Sequence, residues 1–468
     1  MGLLLYILCV FSTGLLARYL LRLEDFSAFS LYRLSVSFFW GLLVHIAFLQ
    51  IVQLLSLNPS HAQLRVFLML VAAIMPLLML GWFFRNRTVV SWKVPIDFYW
   101  CRLNYLGLGI IAIQLSVLLW ITVVLPMIGW DGWAAWLVKS KVWYYTGLDA
   151  VFTNAFSWQS EQGVYSNLSA YYPDGFPLVH YAVALFAGWD ETSFKILTWF
   201  MWLCFLPCFY HALRKLDVSQ TMAFWSTVLL TCIPMFRYHV YSGGYVDLWL
   251  SIYLFLCFSA AQSFILKPDK YTFIRFLILL LALPLFKLEG MIWMLLVVAT
   301  FALASLSSRN RVRVVVGSVL LLALWFVFDG FTFNTPFGLV QITPQLFQIG
   351  DYVNYALAFN DSSQALFEAL FVSRNWLLIW YFLPLVIWLA FRYHKRSELL
   401  MLSVFLVLTV LFILGLFYLT GASKWAENFT SINRVVLHMV PVYLLLGSAL
   451  LFQQMQERRI AKDSVETE

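Results

Sequence analysis

The sequence predicts an all-α polytopic membrane protein, about 13 transmembrane helices with interfacial helices in its first large outer loop. Three observations carry that expectation. Hydrophobic residues make up 62 % of the 468-residue chain and charged residues only 11 %, against about 25 % charged in soluble domains. Two or three water-soluble cores could not be covered with so little polar surface, so the chain must face lipid. Long apolar runs recur along its length, and the basic residues gather in short clusters between alternate runs.

A spanning helix needs about 20 apolar residues, because the hydrocarbon layer is about 30 Å thick and a helix rises about 1.5 Å per residue. That rule places spans near 3–21, 30–56, 64–84, 104–128, 193–213, 219–236, 245–266, 271–286, 290–307, 314–330, 375–391, 399–420 and 434–453. The first has no basic residue before it and no small-residue cleavage site after it, so it reads as a retained helix. The chain then forms one transmembrane domain over 1–453. It comprises four spans in 1–128, an outer loop over 129–192, six spans in 193–330, a second outer loop over 331–374 and three spans in 375–453. A cytoplasmic tail covers 454–468.

Seven basic clusters set the orientation: Arg18/Arg22/Arg33, Arg85/Arg87/Lys93/Arg102, Arg214/Lys215, Lys267/Lys270/Arg275, Arg309/Arg311/Arg313, Arg392/Lys395/Arg396 and Arg458/Arg459/Lys462. They hold 21 of the 30 basic residues, and all fall on one side. By the positive-inside rule that side is cytoplasmic. The net charge of +7 is thus a topology signal rather than a nucleic-acid surface. The six cysteines form no CxxC or Cys/His pattern, and all but Cys101 lie in apolar spans as small apolar side chains. No internal repeat is visible. The opposite side is acidic on balance, Glu161 and Asp351 among its carboxylates, and carries both long loops. Loops of that length are functional or disordered, and these are too aromatic for disorder.

Within the first loop, GWDGWAAWLVKSKVWYYTG (129–147) puts Trp133, Trp136, Leu137 and Tyr144 at helical spacing. It reads as an amphipathic helix at headgroup level, started by Asp131. Asp131 is then an N-cap, a general base at the membrane surface, or both. Further on, YYPDGFPLVHYAVALFAGWDE (171–191) holds an apolar run of only 13 residues, about 20 Å as a helix and too short to cross. It reads as a second interfacial helix, with Asp174 holding the turn or facing a cavity with His180.

These two segments resemble the first extracytoplasmic loop of the GT-C glycosyltransferases, a superfamily that includes protein O-mannosyltransferases and the aminoarabinose transferases of lipid A. YSGGYVDLWLS (241–251) is similar to the family's mid-chain "GYxD" entry, LPLFKLEGM (283–291) to its "KxEG" junction, and TSINRVVLHMVPVYLLL (430–446) to its last core helix. The chain departs from the mannosyltransferases in having one aspartate in the first loop instead of an adjacent Asp-Glu pair. Several spans also precede that loop where many relatives have none.

The resemblance implies transfer of a sugar from a polyprenyl-phosphate donor to a lipid, glycan or protein acceptor at the outer face of the plasma membrane. Such a reaction needs a base for the acceptor hydroxyl and cations for the departing phosphate. Asp131 suits the first task. Arg434, set against the positive-inside trend beside Thr430 and Ser431 at the head of the last span, suits the second, or else snorkels to the interface. Lys287 and Glu289 flank a helix break; two residues apart, they are not expected to face each other. An ionisable pair at membrane depth marks a site by default. Asp247, beside Gly243 and Gly244, reads as a ligand for sugar hydroxyls, a partner for Lys287 or Arg237, or a cap. Arg237, His239, Lys139 and Lys141 complete the candidate substrate-binding set.

No Walker sequence argues for an ATP-driven pump, and no HExxH or paired-carboxylate motif calls for a metal, with a divalent cation at the headgroup left open. The rival reading is a transporter or flippase for a lipid-linked sugar or another amphiphile. It expects ionisable residues deep within spans, whereas these stand near span ends.

Overall fold

A computed structural model describes residues 1–22, 30–86, 102–154, 159, 163–167, 169–335, 338–349, 353–429 and 431–466. Arg87, Lys93, Cys101, Glu161, Asp351 and Thr430, which figure in the sequence reading, lie outside the described residues. The chain folds as two compact units, Met1–Met294 with Met455–Glu468, and Leu295–Gln454.

The first unit opens with four long apolar helices: α1 (Gly2–Leu20), α2 (Leu31–Leu54), α3 (His61–Asn86) and α4 (Arg102–Val124). Ser30 caps α2 by accepting the Arg33 amide, the bond an N-terminal serine is chosen for. α1 and α2 approach so closely that any side chain on Gly14 would strike the Ser37 carbonyl, and on Gly41 the Val10 carbonyl. Small residues at such contacts let backbones pack where lipid leaves no hydrophobic drive between helices.

After α4 come a π turn over Gly132–Trp136, α5 (Leu137–Thr146), a pair of short parallel strands, β1 (Val151–Thr153) and β2 (Val164–Ser166), and α6 (Gly175–Ala187). α7 (Glu191–Lys215) starts on Asp190, whose carboxylate accepts the Thr192 and Ser193 amides at 3.1 and 3.0 Å. α8 (Gln220–Cys232) and α9 (Pro234–Ser242) meet at an extended Ile233. Pro234 starts α9 where its missing amide costs nothing, and Gly243 ends it in the left-handed region at φ 69°. Then follow α10 (Asp247–Leu266), α11 (Lys270–Phe286), capped by Asp269, and α12 (Glu289–Ser305).

The second unit holds α13 (Ser308–Val327) and an antiparallel meander of β3 (Phe331–Thr335), β4 (Gly338–Ile342), β5 (Leu346–Ile349) and β6 (Val353–Ala356). α14 (Ser363–Phe367), a π turn, a 3-10 turn over Ile379–Phe382, α15 (Leu383–Arg392), α16 (Ser397–Leu419), α17 (Ser423–Glu427) and α18 (Ile432–Glu466) complete the chain.

Two details differ from the expectation. The chain is mostly helical, but its loop over 331–374 also carries a four-stranded meander. Phe331 and Phe333 alternate with Thr332 and Asn334, and Pro336 and Gly338 follow. That is the period-2 pattern of a strand followed by turn residues, outweighed in the reading by the loop's aromatic content. Among the described residues, nine helices are long and apolar enough to cross a bilayer: α1–α4, α7, α10, α13, α16 and α18. The chain is therefore a multi-pass membrane protein. The expected spans 219–236, 271–286, 290–307 and 375–391 are shorter helices. The first is divided at Pro234 and the last begins as a 3-10 turn. α11 and α12, 17 residues each, reach about 26 Å.

Candidate functional site

The densest charge in the first unit lies where α10 begins and α11 ends. Asp247 is fully buried there, and a buried carboxylate is costly without a partner. Lys287 supplies one, its Nζ 2.9 Å from Asp247 Oδ1 and 2.8 Å from Glu289 Oε1. The expectation that Lys287 and Glu289 cannot face each other is thus wrong. Helical spacing does not apply, because Lys287 is extended (φ −157°, ψ 153°) between the two helices. One ammonium thus lies between two carboxylates. Glu289 Oε2 is buried with no hydrogen-bond partner, an acceptor held in reserve.

The Trp130-Asp131-Gly132-Trp133 turn rests on the loop that leads to this group. A Cβ added to Gly129 or to Gly132 would lie 2.8 Å from Gly244 Cα. Only glycine on both sides permits that contact, and it fixes half-buried Asp131 against a loop three residues short of Asp247. The N-cap role for Asp131 does not hold. Its backbone is already helical (φ −59°, ψ −29°), and its side chain makes no capping bond.

The Asp174 turn reaches the same place from another side. Gly175 abuts the Leu285 carbonyl near the end of α11, and the Phe176 ring lies 5.5 Å from Trp249 and 5.9 Å from Trp136. Asp174 does hold the turn, through Lys139. That ammonium donates to Asp174 Oδ1 at 2.8 Å, the Ala170 carbonyl at 2.9 Å and the Tyr172 carbonyl at 2.7 Å. An ammonium has three donors, and Lys139, 2 % exposed, uses all of them. It is a structural pin rather than a substrate ligand.

His180 does not face a cavity. It is 1 % exposed and sits edge-on to Phe176 at 4.3 Å and Phe194 at 5.0 Å. Burial pushes its pKa down to about 3, which keeps the ring neutral. Lys141 is exposed, 5.9 Å from the Trp189 ring.

Arg237 has a different setting. A cavity of about 440 Å³ is lined by Trp120, Val124 and Leu125 from α4 and by Pro234, Arg237 and Tyr241 from α9. The Arg237 Nε is buried with no hydrogen-bond partner. The loop from Tyr241 to Asp247 runs from this cavity wall, past the glycine that carries the Asp131 turn, to the Lys287 group.

One residue of this framework escaped the sequence reading. Lys195, 1 % exposed, donates to the Thr122 carbonyl at 2.7 Å and to the Leu125 carbonyl. Its stem underlies Gly243. It therefore ties the end of α4 to the double-glycine loop. The available signal was its place on the side with few basic residues, close behind the Asp190 cap. Arg434 belongs to the second unit, in the first turn of α18 as expected. The neighbouring Asn433 is locked by the Trp376 indole, which donates to its Oδ1 at 2.8 Å. Among the described residues, no three His, Cys, Asp or Glu side chains gather to hold a metal ion.

Four of the five family-like segments, those around Asp131, Asp174, Asp247 and Lys287, thus meet at one end of the first unit. Comparison of the chain with protein-family models, with characterised proteins and with solved structures finds no match in any of the three.

Proposed function

We propose that the chain is a membrane glycosyltransferase that takes a sugar from a polyprenyl-phosphate donor at the extracytoplasmic face of the plasma membrane. One observation carries the reading. An apolar cavity bearing an arginine with a spare donor leads along seven residues to a buried carboxylate–lysine group, with Asp131 propped against the path. Apolar walls suit a prenyl chain, and a guanidinium suits its phosphate.

The pairing reassigns one role. Lys287 is already held by two carboxylates, so Arg237 is the better partner for the phosphate in this unit. Glu289 Oε2 and Asp247 are then acceptors for sugar hydroxyls. In the reaction, the acceptor hydroxyl oxygen bonds to the anomeric carbon as the carbon–oxygen bond to phosphate breaks. The electron pair leaves with the polyprenyl phosphate, the hydroxyl proton goes to Asp131, and the configuration inverts.

The test uses the purified protein in proteoliposomes with radiolabelled undecaprenyl-phosphate sugars and acceptor extracted from the same membrane. Asp131→Asn is expected to keep its elution profile and melting point and to lose transfer by a factor of about 10² to 10⁴, the usual worth of a general base. Arg237→Gln is expected to raise the donor KM more than it lowers kcat. Undiminished transfer by Asp131→Asn removes the proposed base. Donor crossing the bilayer without being consumed would replace the enzyme by a flippase.

A further inference from the structure

A second anion-binding feature lies at the other end of the first unit, the end that the basic loops assign to the cytoplasm. A narrow groove there runs between α2, α10 and α11. Its mouth is polar, with Tyr32, Ser263 and Arg275, and its floor is apolar, with Trp40, Leu256 and Leu279. Trp40 stands eight residues beyond Tyr32 on α2, about 12 Å deeper along the helix. The enclosed space is only about 20 Å³, too little for a chamber that takes up a free molecule.

Two donors in the groove are unused. Trp40 is 3 % exposed, and its indole N–H has no hydrogen-bond acceptor. The Arg275 Nε is likewise buried without a partner. A buried donor left unmade is costly, so an acceptor is expected at each. The mouth is also strongly cationic. Lys215 donates to Ser263 Oγ at 3.1 Å and lies 5.8 Å from the Tyr32 ring, which stacks on His211 at 3.7 Å. Lys215, Arg275 and Arg33 all act electrostatically on that histidine.

We infer that this groove holds an anionic phospholipid of the cytoplasmic leaflet, its phosphate on Arg275 and a glycerol ester carbonyl on the Trp40 indole. A phospholipid offers acceptors in that vertical order, phosphate at headgroup level and ester carbonyls beneath it, with an acyl chain to follow the apolar floor. Basic pockets between transmembrane helices on the cytoplasmic side recognise such headgroups. The site is independent of the transferase reading, which concerns the opposite end of the unit.

The full chain in detergent is titrated with phosphatidylglycerol, with phosphatidylcholine and with inorganic phosphate, and bound lipid is counted by native mass spectrometry. The wild type is expected to bind phosphatidylglycerol about tenfold more tightly than phosphatidylcholine, and millimolar phosphate is expected not to displace it. Arg275→Gln is expected to lose about five- to tenfold of the phosphatidylglycerol affinity and most of the preference, since a cation near the surface contributes about 1 kcal/mol. Trp40→Phe is expected to weaken both lipids about equally, because both carry the ester carbonyl. Should Arg275→Gln fail to fold, Arg275→Lys replaces it, keeping the charge but losing the Nε donor, with a smaller loss of preference expected. Displacement by phosphate alone would overturn the lipid assignment, as would a preference that survives removal of Arg275 or a Trp40→Phe variant that binds both lipids as the wild type does.

Discussion

Lys139 and Lys287 stand in the same unit, both almost fully buried and both ion-paired, yet they are tied in differently. Lys139 spends its three donors on two neutral carbonyls and a carboxylate whose side chain is 34 % exposed. Lys287 lies between two carboxylates, one of them fully buried. The first arrangement closes a loop and leaves nothing over. The second leaves an unused acceptor on Glu289. A buried lysine is therefore a site candidate only when its partners still have capacity for something else. Burial alone does not separate the two.

The largest effect that would sharpen this contrast is Lys287→Met. It takes the ammonium away from fully buried Asp247 and is expected to cost about 3–5 kcal/mol in detergent-solubilised unfolding. Adding Asp247→Asn to that variant is expected to recover part of the loss. A single variant within 1 kcal/mol of wild type would show that the carboxylate is not buried as described. Lys139→Met is expected to cost less, about 2 kcal/mol, because water can reach Asp174 once the ammonium is gone. Equal costs for the two lysines would break the comparison.

Gly244→Ala tests the contact that links the regions. Its Cβ would come 2.7 Å from the Gly129 carbonyl, so a loss of about 1–2 kcal/mol is expected from overpacking, with sugar transfer falling further than stability does. Gly109→Ala, at a position open on all sides, is the control and is expected to be neutral or stabilising. If Gly244→Ala behaves like Gly109→Ala, the Asp131 turn is not seated on that loop. A further effect concerns acid. His180 has a folded pKa near 3 against about 6.5 unfolded. The unfolded chain takes up the proton first, so stability present above pH 6.5 is lost as pH falls toward 3. The slope is at most about 1.4 kcal/mol per pH unit, and His180→Phe is expected to flatten it.

The membrane character and the positions of the nine long helices were legible because apolar length and basic loops are local properties of the chain. Helix breaks were partly legible: an apolar run of only 13 residues marked the short α6, whereas the interruption at Pro234 passed as part of a span. The strands of the second outer loop were written in the alternation from Phe331 to Asn334 and were missed, because a span reading searches for runs rather than alternation. At the site, Asp131, Asp247, Lys287 and Glu289 were found from charge placed against the lipid environment. Lys195 was not, because its partners are backbone carbonyls 70 and 73 residues away, which leave no side-chain trace.

The sequence by itself determined that this protein lives in a bilayer, which side its basic loops favour and which ionisable residues stand out against the apolar background. Those outcomes follow from summed transfer free energies, which depend on composition along one strand. Only the tertiary structure decided that Lys287 answers to Asp247 and Glu289, that Lys139 is saturated and that Arg237 opens on a cavity. Pairing needs ångström proximity between residues tens of positions apart, and that proximity is set by where glycines let backbones touch.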